Sequence, residues 1–368
     1  MSKVKSDKIK DYSTKNSRIL IYNLAMDQNS PALKFTQDWV DVFAEYFDNV
    51  VVYATHVGKY KNKSNVSVIE LGGGNSVSRL RALIRILFSL PKIFLLRHQT
   101  VAFHHMSTIT TVFPGLILKI FGIRQGLWYS HSLSDKYLHL GAHLMDAIFS
   151  PHRESFPLKN QRLPLYFSGH GIDKSFAQNY EKQMHSKGEI RILSVGRIAR
   201  IKKLEILLDL CAGLPRDVKS RIVISLVGPS NDEDYLRELK ELSSQTSLNV
   251  LFIGTLKTPE LIGFYERSHF YFMGTPNSVD KAALEAGFFG CIPLSTNSAL
   301  QELTGLSSIL KDETEILDSL TSQLDHYLKL EEREYRAISE MLCNTTRVRN
   351  QLSGLISFII RILSVQDN

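Results

Sequence analysis

The residues best suited to chemistry lie between Arg191 and Glu302. The run Arg191-Ile192-Leu193-Ser194-Val195-Gly196-Arg197 is followed closely by Arg200, Lys202 and Lys203. Gly196 permits a tight backbone turn at the end of an apolar run. Arg197 and Lys202 bring two full charges to that turn, and Arg200 and Lys203 extend the basic cluster. A diphosphate placed there would receive charge-assisted hydrogen bonds, and a helix N-terminus adds partial positive charge. Beside a leaving group, such cations stabilise a transition state more than a ground state. Taken alone, the same pattern also fits a solvated basic turn.

A second cluster complements the first. The polar loop Asn277-Ser278-Val279-Asp280 leads into a helix carrying Glu285, and Gly290-Cys291-Ile292-Pro293 follows. A carboxylate can accept from two vicinal hydroxyls, as on a ribose. Ala282, Ala283, Leu284 and Ala286 surround Glu285 with small or apolar groups, where a lone carboxylate needs a partner. The plainer alternative is a helix surface charge. Together the two clusters point to a phosphorylated, hydroxyl-rich ligand.

Other motifs are less specific. Asp232-Glu233-Asp234 has the DxD form of metal-dependent sugar-nucleotide sites, but it precedes a helix, and a carboxylate cap explains it more simply. No His, Cys, Asp or Glu spacing makes a convincing metal site, so no metal is expected. Gly72-Gly73-Gly74 could approach a phosphate but lacks a dinucleotide fingerprint, and a flexible turn is the plainer reading. His104 and His105 read as satisfied polar residues at a sheet edge. His131 follows a strand-like run, where open α/β sheets bind ligands.

The elements that must position these residues alternate in type. Arg18 to Leu24 reads as a buried strand, 34–47 as a helix with apolar residues at Phe35, Trp39, Val42, Phe43 and Tyr46, and 50–55 as another strand. Further strands are read at 66–71, 100–103, 126–130 and 147–150, with a helix at 111–121. The second half repeats the pattern, with strands at 190–195, 222–227, 250–253 and 270–273 and helices at 204–212, 234–243, 259–266 and 282–289. Such alternation implies parallel sheets and an α/β fold. The division read is a tail at 1–17, a domain at 18–172, a second at 173–340 and a helix at 341–368 that packs back on the first. Leu352, Leu355, Ile356, Ile359, Ile360 and Leu363 give that helix an apolar stripe; a helix packed on a domain is favoured over a free membrane helix.

With 368 residues, 43% hydrophobic and 22% charged, a packed two-domain protein is expected. A net charge of +7 favours anionic partners. No nucleic-acid module accompanies that charge, so no nucleic-acid partner is expected. Three well-separated cysteines suit a reducing compartment, and no secretory leader is visible, so the expected location is cytoplasmic. The segment 78–97 interleaves Arg79, Arg81, Arg85, Lys92 and Arg97 with Leu, Ile and Phe. It suits peripheral contact with an anionic membrane at its inner face, or an ordinary domain helix whose arginines cover apolar neighbours. It is too interrupted to cross a bilayer.

These residues resemble a known family. Val195-Gly196-Arg197-Ile198 with Lys202, Leu226-Val227-Gly228, Phe252-Ile253-Gly254, and Ala283-Leu284-Glu285-Ala286 with Gly290-Cys291-Ile292-Pro293-Leu294 are similar to glycosyltransferase family 4. These are retaining enzymes of GT-B fold, among the glycosyl transferases group 1. His170-Gly171-Ile172-Asp173 resembles the family's asparagine-glycine-valine-aspartate hinge, and Trp128-Tyr129-Ser130-His131 its amino-terminal histidine segment. The resemblance implies two Rossmann-like parallel-sheet domains facing across a cleft. It implies transfer of a hexose or N-acetylhexosamine from a UDP-sugar or GDP-sugar to a glycan or lipid-linked acceptor, in surface polysaccharide synthesis. Transfer would retain the anomeric configuration and need no metal or cofactor. Arg197 and Lys202 would hold the diphosphate, with Gly196 at the turn, and Glu285 the ribose. Asn277, Ser278, Val279 and Asp280 would meet the sugar or phosphate, and His131 would approach the donor sugar.

This sequence departs from the family pattern at four points. Asn277 stands where the family has Glu, Lys203 where it usually has Gly, and Gln28-Asn29-Ser30-Pro31 replaces a glycine-rich loop. His170 replaces the hinge asparagine. The alternative that follows from Asn277 is a partner protein that binds a sugar nucleotide without transferring it.

Overall fold

The computed structural model describes residues 17–28, 30, 36–61, 63–72, 76–131, 133–158, 162–172, 176, 188–275, 279–304 and 316–364. Asn277, Ser278, Asp173, Gly73, Gly74 and most of the loop from Asn29 lie outside these, as do the tail 1–16 and the connector 180–187. The chain divides into two compact units, 1–171 with 352–368, and 172–351.

In the first unit, β1 (Arg18–Met26), α1 (Thr36–Tyr46), β2 (Asn49–Val57), β3 (Val66–Glu70), α2 (Ser76–Leu95), β4 (Thr100–His105), α3 (Thr108–Ile120), β5 (Gln125–Trp128), α4 (Lys136–Gly141), β6 (Ala147–Ser150) and β7 (Leu165–Phe167) follow in order. The seven strands are parallel, in the order β3-β2-β1-β4-β5-β6-β7. Eight of the nine residues of β1 are buried, as a parallel strand covered on both faces requires. This puts His104 and His105 inside the sheet, not at its edge, because β4 pairs with β1 on one side and β5 on the other. The three-residue β7 falls where the sequence suggested only a crossing between domains.

In the second unit, β8 (Ile190–Val195), α5 (Leu204–Ala212), α6 (Arg216–Lys219), β9 (Ile222–Val227), α7 (Glu233–Thr246), β10 (Asn249–Gly254), α8 (Thr258–Arg267), β11 (Phe270–Phe272), α9 (Lys281–Phe288), β12 (Ile292–Leu294), α10 (Ser298–Thr304), α11 (Ile316–Leu328) and α12 (Glu332–Asn350) follow. The parallel sheet runs β10-β9-β8-β11-β12. The sequence did not read β12 as a strand because Pro293 sits inside it. A proline lacks the ladder N–H, and β12 tolerates it as an edge strand. Asp232 caps α7 by accepting from the Tyr235 N–H at 2.9 Å.

The carboxyl-terminal helical stretch breaks at Gln351, whose extended backbone ends α12 and whose bridge to Ile172 lies in the second unit. The chain then enters α13 (Leu352–Ser364). All six residues of the apolar stripe are buried there, in a cluster with Ile19, Trp39, Phe43, Phe103 and Phe149 of the first unit. Each such side chain contributes about 1.5–3 kcal/mol on burial. Gly171 lies against this helix: a Cβ on it would stand 2.7 Å from Leu355 Cδ2.

Candidate functional site

In the second unit the sheet grows from β8 through β9 to β10 on one side and through β11 to β12 on the other. The reversal lies between β8 and β11, and ligands of open α/β sheets bind outside the carboxyl ends of strands at such a point. The sequence-read clusters meet there. Gly196 ends β8, Gly228 follows β9, and both take φ of 144°, a conformation that favours glycine. They also touch: a Cβ on Gly228 would stand 1.9 Å from the Gly196 carbonyl oxygen. The end of β11 passes close as well, since a Cβ on Gly274 would lie 2.5 Å from the Lys202 carbonyl oxygen.

Lys202 runs over this glycine floor, its Cε 3.5 Å from where a Gly196 Cβ would be. Its Nζ donates to Asp280 Oδ2 at 2.5 Å, so the basic and polar clusters are bonded to each other. Thr275 Oγ1 lies 3.5 Å from the same carboxylate oxygen. Arg197 is exposed and makes no ion pair among the described residues. Arg200 is engaged elsewhere, bidentate to Glu238 at 2.9 and 2.6 Å and 3.7 Å from Asp232. Lys203 links the turn to α5 with φ of 49° and ψ of 45°. This left-handed conformation explains why a glycine suits the position. The first donor of α5 is occupied, since the Leu204 N–H donates to the Tyr235 hydroxyl at 2.8 Å.

On the other side, Val279 is buried and Asp280 precedes α9. Glu285 lies in α9 with 8% of its surface exposed. The partner that a carboxylate there requires is Tyr265, whose hydroxyl donates to Oε2 at 2.9 Å. Lys281 Nζ is 3.9 Å from Oε1. Burial, and then the Glu285 charge, raise the Tyr265 phenol well above its ordinary value, so it remains a donor. Sequence reasoning missed Tyr265, which lies 20 positions from Glu285 on another helix. It also missed Tyr271, which fixes the end of β8 by donating to Val195 O at 3.1 Å. Asn297 is a third such residue, donating to Thr275 O at 3.0 Å.

His131 lies in the first unit, exposed, just beyond β5. Its backbone N–H donates to Ser155 O at 3.0 Å, and the Leu133 backbone N–H donates to its ring Nδ1 at 3.0 Å. Nδ1 is therefore an acceptor, the neutral ring carries its proton on Nε2, and Nε2 is the atom left for a ligand. The structure thus unites Gly196, Lys202, Val279, Asp280 and Glu285 in one unit and builds His131 into the other.

The second unit resembles a known family in sequence. Residues 175–302 match the family model of glycosyl transferases group 1. That match contains both halves of the site. The fold is similar to a crystal structure of Anabaena Alr3699/HepE in complex with UDP and glucose, with a TM-score of 0.67 at 15% identity, covering 95% of this chain and 99% of that one. It is also similar to the apo form of the lipopolysaccharide outer core galactosyltransferase WaaB, with a TM-score of 0.69 at 12% identity, covering 94% and 99%. An E. coli trehalose-6-phosphate structure bound with UDP-2-fluoro glucose scores 0.69 at 11% identity, covering 96% and 100%. A search of curated proteins by sequence finds no match. The fold is the GT-B type, built of two Rossmann-like units.

Proposed function

We propose that this chain is a retaining glycosyltransferase. It moves a hexose or N-acetylhexosamine from a UDP-sugar or GDP-sugar to a glycan or lipid-linked acceptor, without a metal, in making a surface polysaccharide. The observation that carries this reading is the meeting of Gly196 and Lys202 with Asp280 and Glu285 at the β8–β11 switch point, inside the segment matching glycosyl transferases group 1. UDP and glucose in the Anabaena HepE structure support the donor class.

In this reading Arg197 and Lys202 bind the diphosphate and balance the charge that develops on it as the sugar leaves. Gly196 lets the phosphates approach the backbone. Glu285, held by Tyr265, accepts from the ribose hydroxyls. Asn277 and the backbone of Ser278, Val279 and Asp280 contact the sugar or the phosphate, and His131 contacts substrate through Nε2. The basic segment 78–97 gives peripheral contact with an anionic membrane, where a lipid-linked acceptor would reside.

Titration calorimetry with a panel of UDP- and GDP-sugars, with transfer measured in parallel, tests the reading. Arg197→Ala is expected to weaken donor binding by roughly tenfold or more, the effect of losing one charged hydrogen bond. Unchanged binding and transfer in this variant would sink the phosphate assignment. Donor binding without turnover on any acceptor would favour a non-catalytic partner protein.

A further inference from the structure

Helix α3 is inside out. It buries Thr110, Thr111, Pro114, Gly115 and Leu118, while Ile109, Phe113, Leu116 and Ile120 are exposed. The exposed four recur at helical spacing and form one continuous stripe. Phe113 and Ile120 are 69% and 73% exposed. The inward face is polar for a reason of its own: Thr110 Oγ1 lies 2.9 Å from His104 Nδ1, and Gly115 O accepts from Gln125 at 2.8 Å. A soluble helix normally does the reverse and turns its apolar stripe to the core.

Helix α2 adjoins it, with the Phe94 and Phe121 rings 5.1 Å apart. It exposes Phe88, at 84%, together with Leu95, Arg81, Arg85 and Lys92. The charge along this stretch of sequence is one-sided, although Asp135, which accepts from Thr108 Oγ1 at 2.8 Å, and Asp146 lie against α3. From Leu71 to Ser134 the sequence has no Asp or Glu but seven Lys and Arg, of which Lys119 pairs with Asp146. The chain has 44 Lys and Arg against 37 Asp and Glu, so outside this stretch the two balance at 37 each. The whole net charge of +7 therefore resides in the part of the sequence that contains α2 and α3.

We infer that α2 and α3 together form a surface that docks on an anionic lipid bilayer, α3 inserting its stripe of Ile109, Phe113, Leu116 and Ile120 while α2 adds cations and Phe88. An interfacial site needs both an apolar face and basic groups, and their one-sided charge complements anionic headgroups. No helix among the described residues is long and apolar enough to cross a membrane, and this mode requires none. The inference extends the membrane contact proposed for 78–97 by assigning the inserting face to α3, and it does not depend on the sugar-nucleotide site.

The test sediments the full chain with vesicles of equal parts phosphatidylglycerol and phosphatidylcholine, and with phosphatidylcholine alone. Binding is expected to the anionic vesicles and to be roughly a hundredfold weaker on the neutral ones, as three exposed cations at about 1 kcal/mol each imply. Phe113→Ser combined with Ile120→Ser is expected to weaken anionic-vesicle binding by roughly tenfold or more. Because both side chains are exposed, its thermal melt and its UDP-sugar titration in vesicle-free solution are expected to match the wild type. Wild-type protein that stays in the supernatant with anionic vesicles overturns the inference. So does a double variant that sediments like the wild type. A wild-type dimer that the double substitution dissolves, with no vesicle binding, also overturns it and makes this face an interface between copies.

Discussion

Lys202 Nζ lies 2.5 Å from Asp280 Oδ2, which joins the turn after β8 to the start of α9. The side chains are only 19% and 20% exposed, so the pair is partly shielded from water. A cation suited to a diphosphate is thus held by a carboxylate, and under the proposed function an incoming diphosphate must compete with Asp280 for it.

That competition is measurable. Asp280→Asn removes a negative charge beside the proposed anion site and frees Lys202, so its affinity for UDP is expected to rise by up to about fivefold, the effect of roughly 1 kcal/mol. Lys202→Ala is expected to lower UDP affinity, and the gain from Asp280→Asn should vanish in the double variant. Calorimetric titration with UDP checks this. A weaker UDP affinity in Asp280→Asn alone would show that Asp280 supports the nucleotide and does not compete for Lys202.

Lys203 adopts a left-handed conformation with φ of 49°, which costs a residue bearing a Cβ about 1–2 kcal/mol. Lys203→Gly removes that strain and adds some unfolded-state freedom. The net expectation is a stabilisation of roughly 0.5–1 kcal/mol, read as a higher thermal midpoint of the second unit. Lys203→Val should lower the midpoint, since a β-branched residue fits this region worse. A lowered midpoint in the glycine variant would show that the lysine side chain contributes more than its backbone costs.

Much of this arrangement was legible in the residues themselves. β8 and β9 are apolar runs ending in Gly196 and Gly228, and a buried parallel strand leaves little other choice. The basic turn and the Glu285 helix could each be picked out by residue type. Their union in one site was read from residue types and the resemblance, but the Lys202–Asp280 bond that joins them was not, because it spans 78 positions and depends on sheet order. Tyr265 escaped for the same reason. Helix α3 was read as a helix, but which face turns inward is decided by the sheet: the His104 and Gln125 side chains need Thr110 and Gly115 beside them.

The Tyr265–Glu285 bond supplies the third prediction. Tyr265→Phe keeps the ring, which stacks on Phe289 at 5.8 Å, and deletes only the hydroxyl that donates to Glu285. A lost hydrogen bond to a buried charged group costs about 1.5–3 kcal/mol, so the urea midpoint of the second unit should fall. If Glu285 holds a ribose, affinity for uridine itself should fall as well, whereas affinity for inorganic pyrophosphate should not. Equal loss of both ligands would mean that the substitution disturbs the whole strand end.

The last prediction concerns pH and rests on His104. The residue is buried, and burial pushes its pKa down to about 4, against a smaller opposing effect of the bond to Gln125. Gln125 uses its amide nitrogen on Gly115 O, so its Oε1 accepts from His104 Nε2 at 3.2 Å, which suits the neutral ring. Unfolded, the same histidine titrates near 6.5. Between these values the unfolded chain carries the proton and the folded chain does not. Stability should therefore be full above about pH 6.5 and fall as pH drops toward 4, by roughly 3 kcal/mol over the window. His104→Gln keeps a polar side chain there and removes the titration. It is expected to lower stability of the first unit at pH 7 but to flatten the decline below pH 6.5, as read from urea midpoints at pH 7 and pH 4.5. Parallel declines in the wild type and His104→Gln would assign the acid sensitivity to other groups.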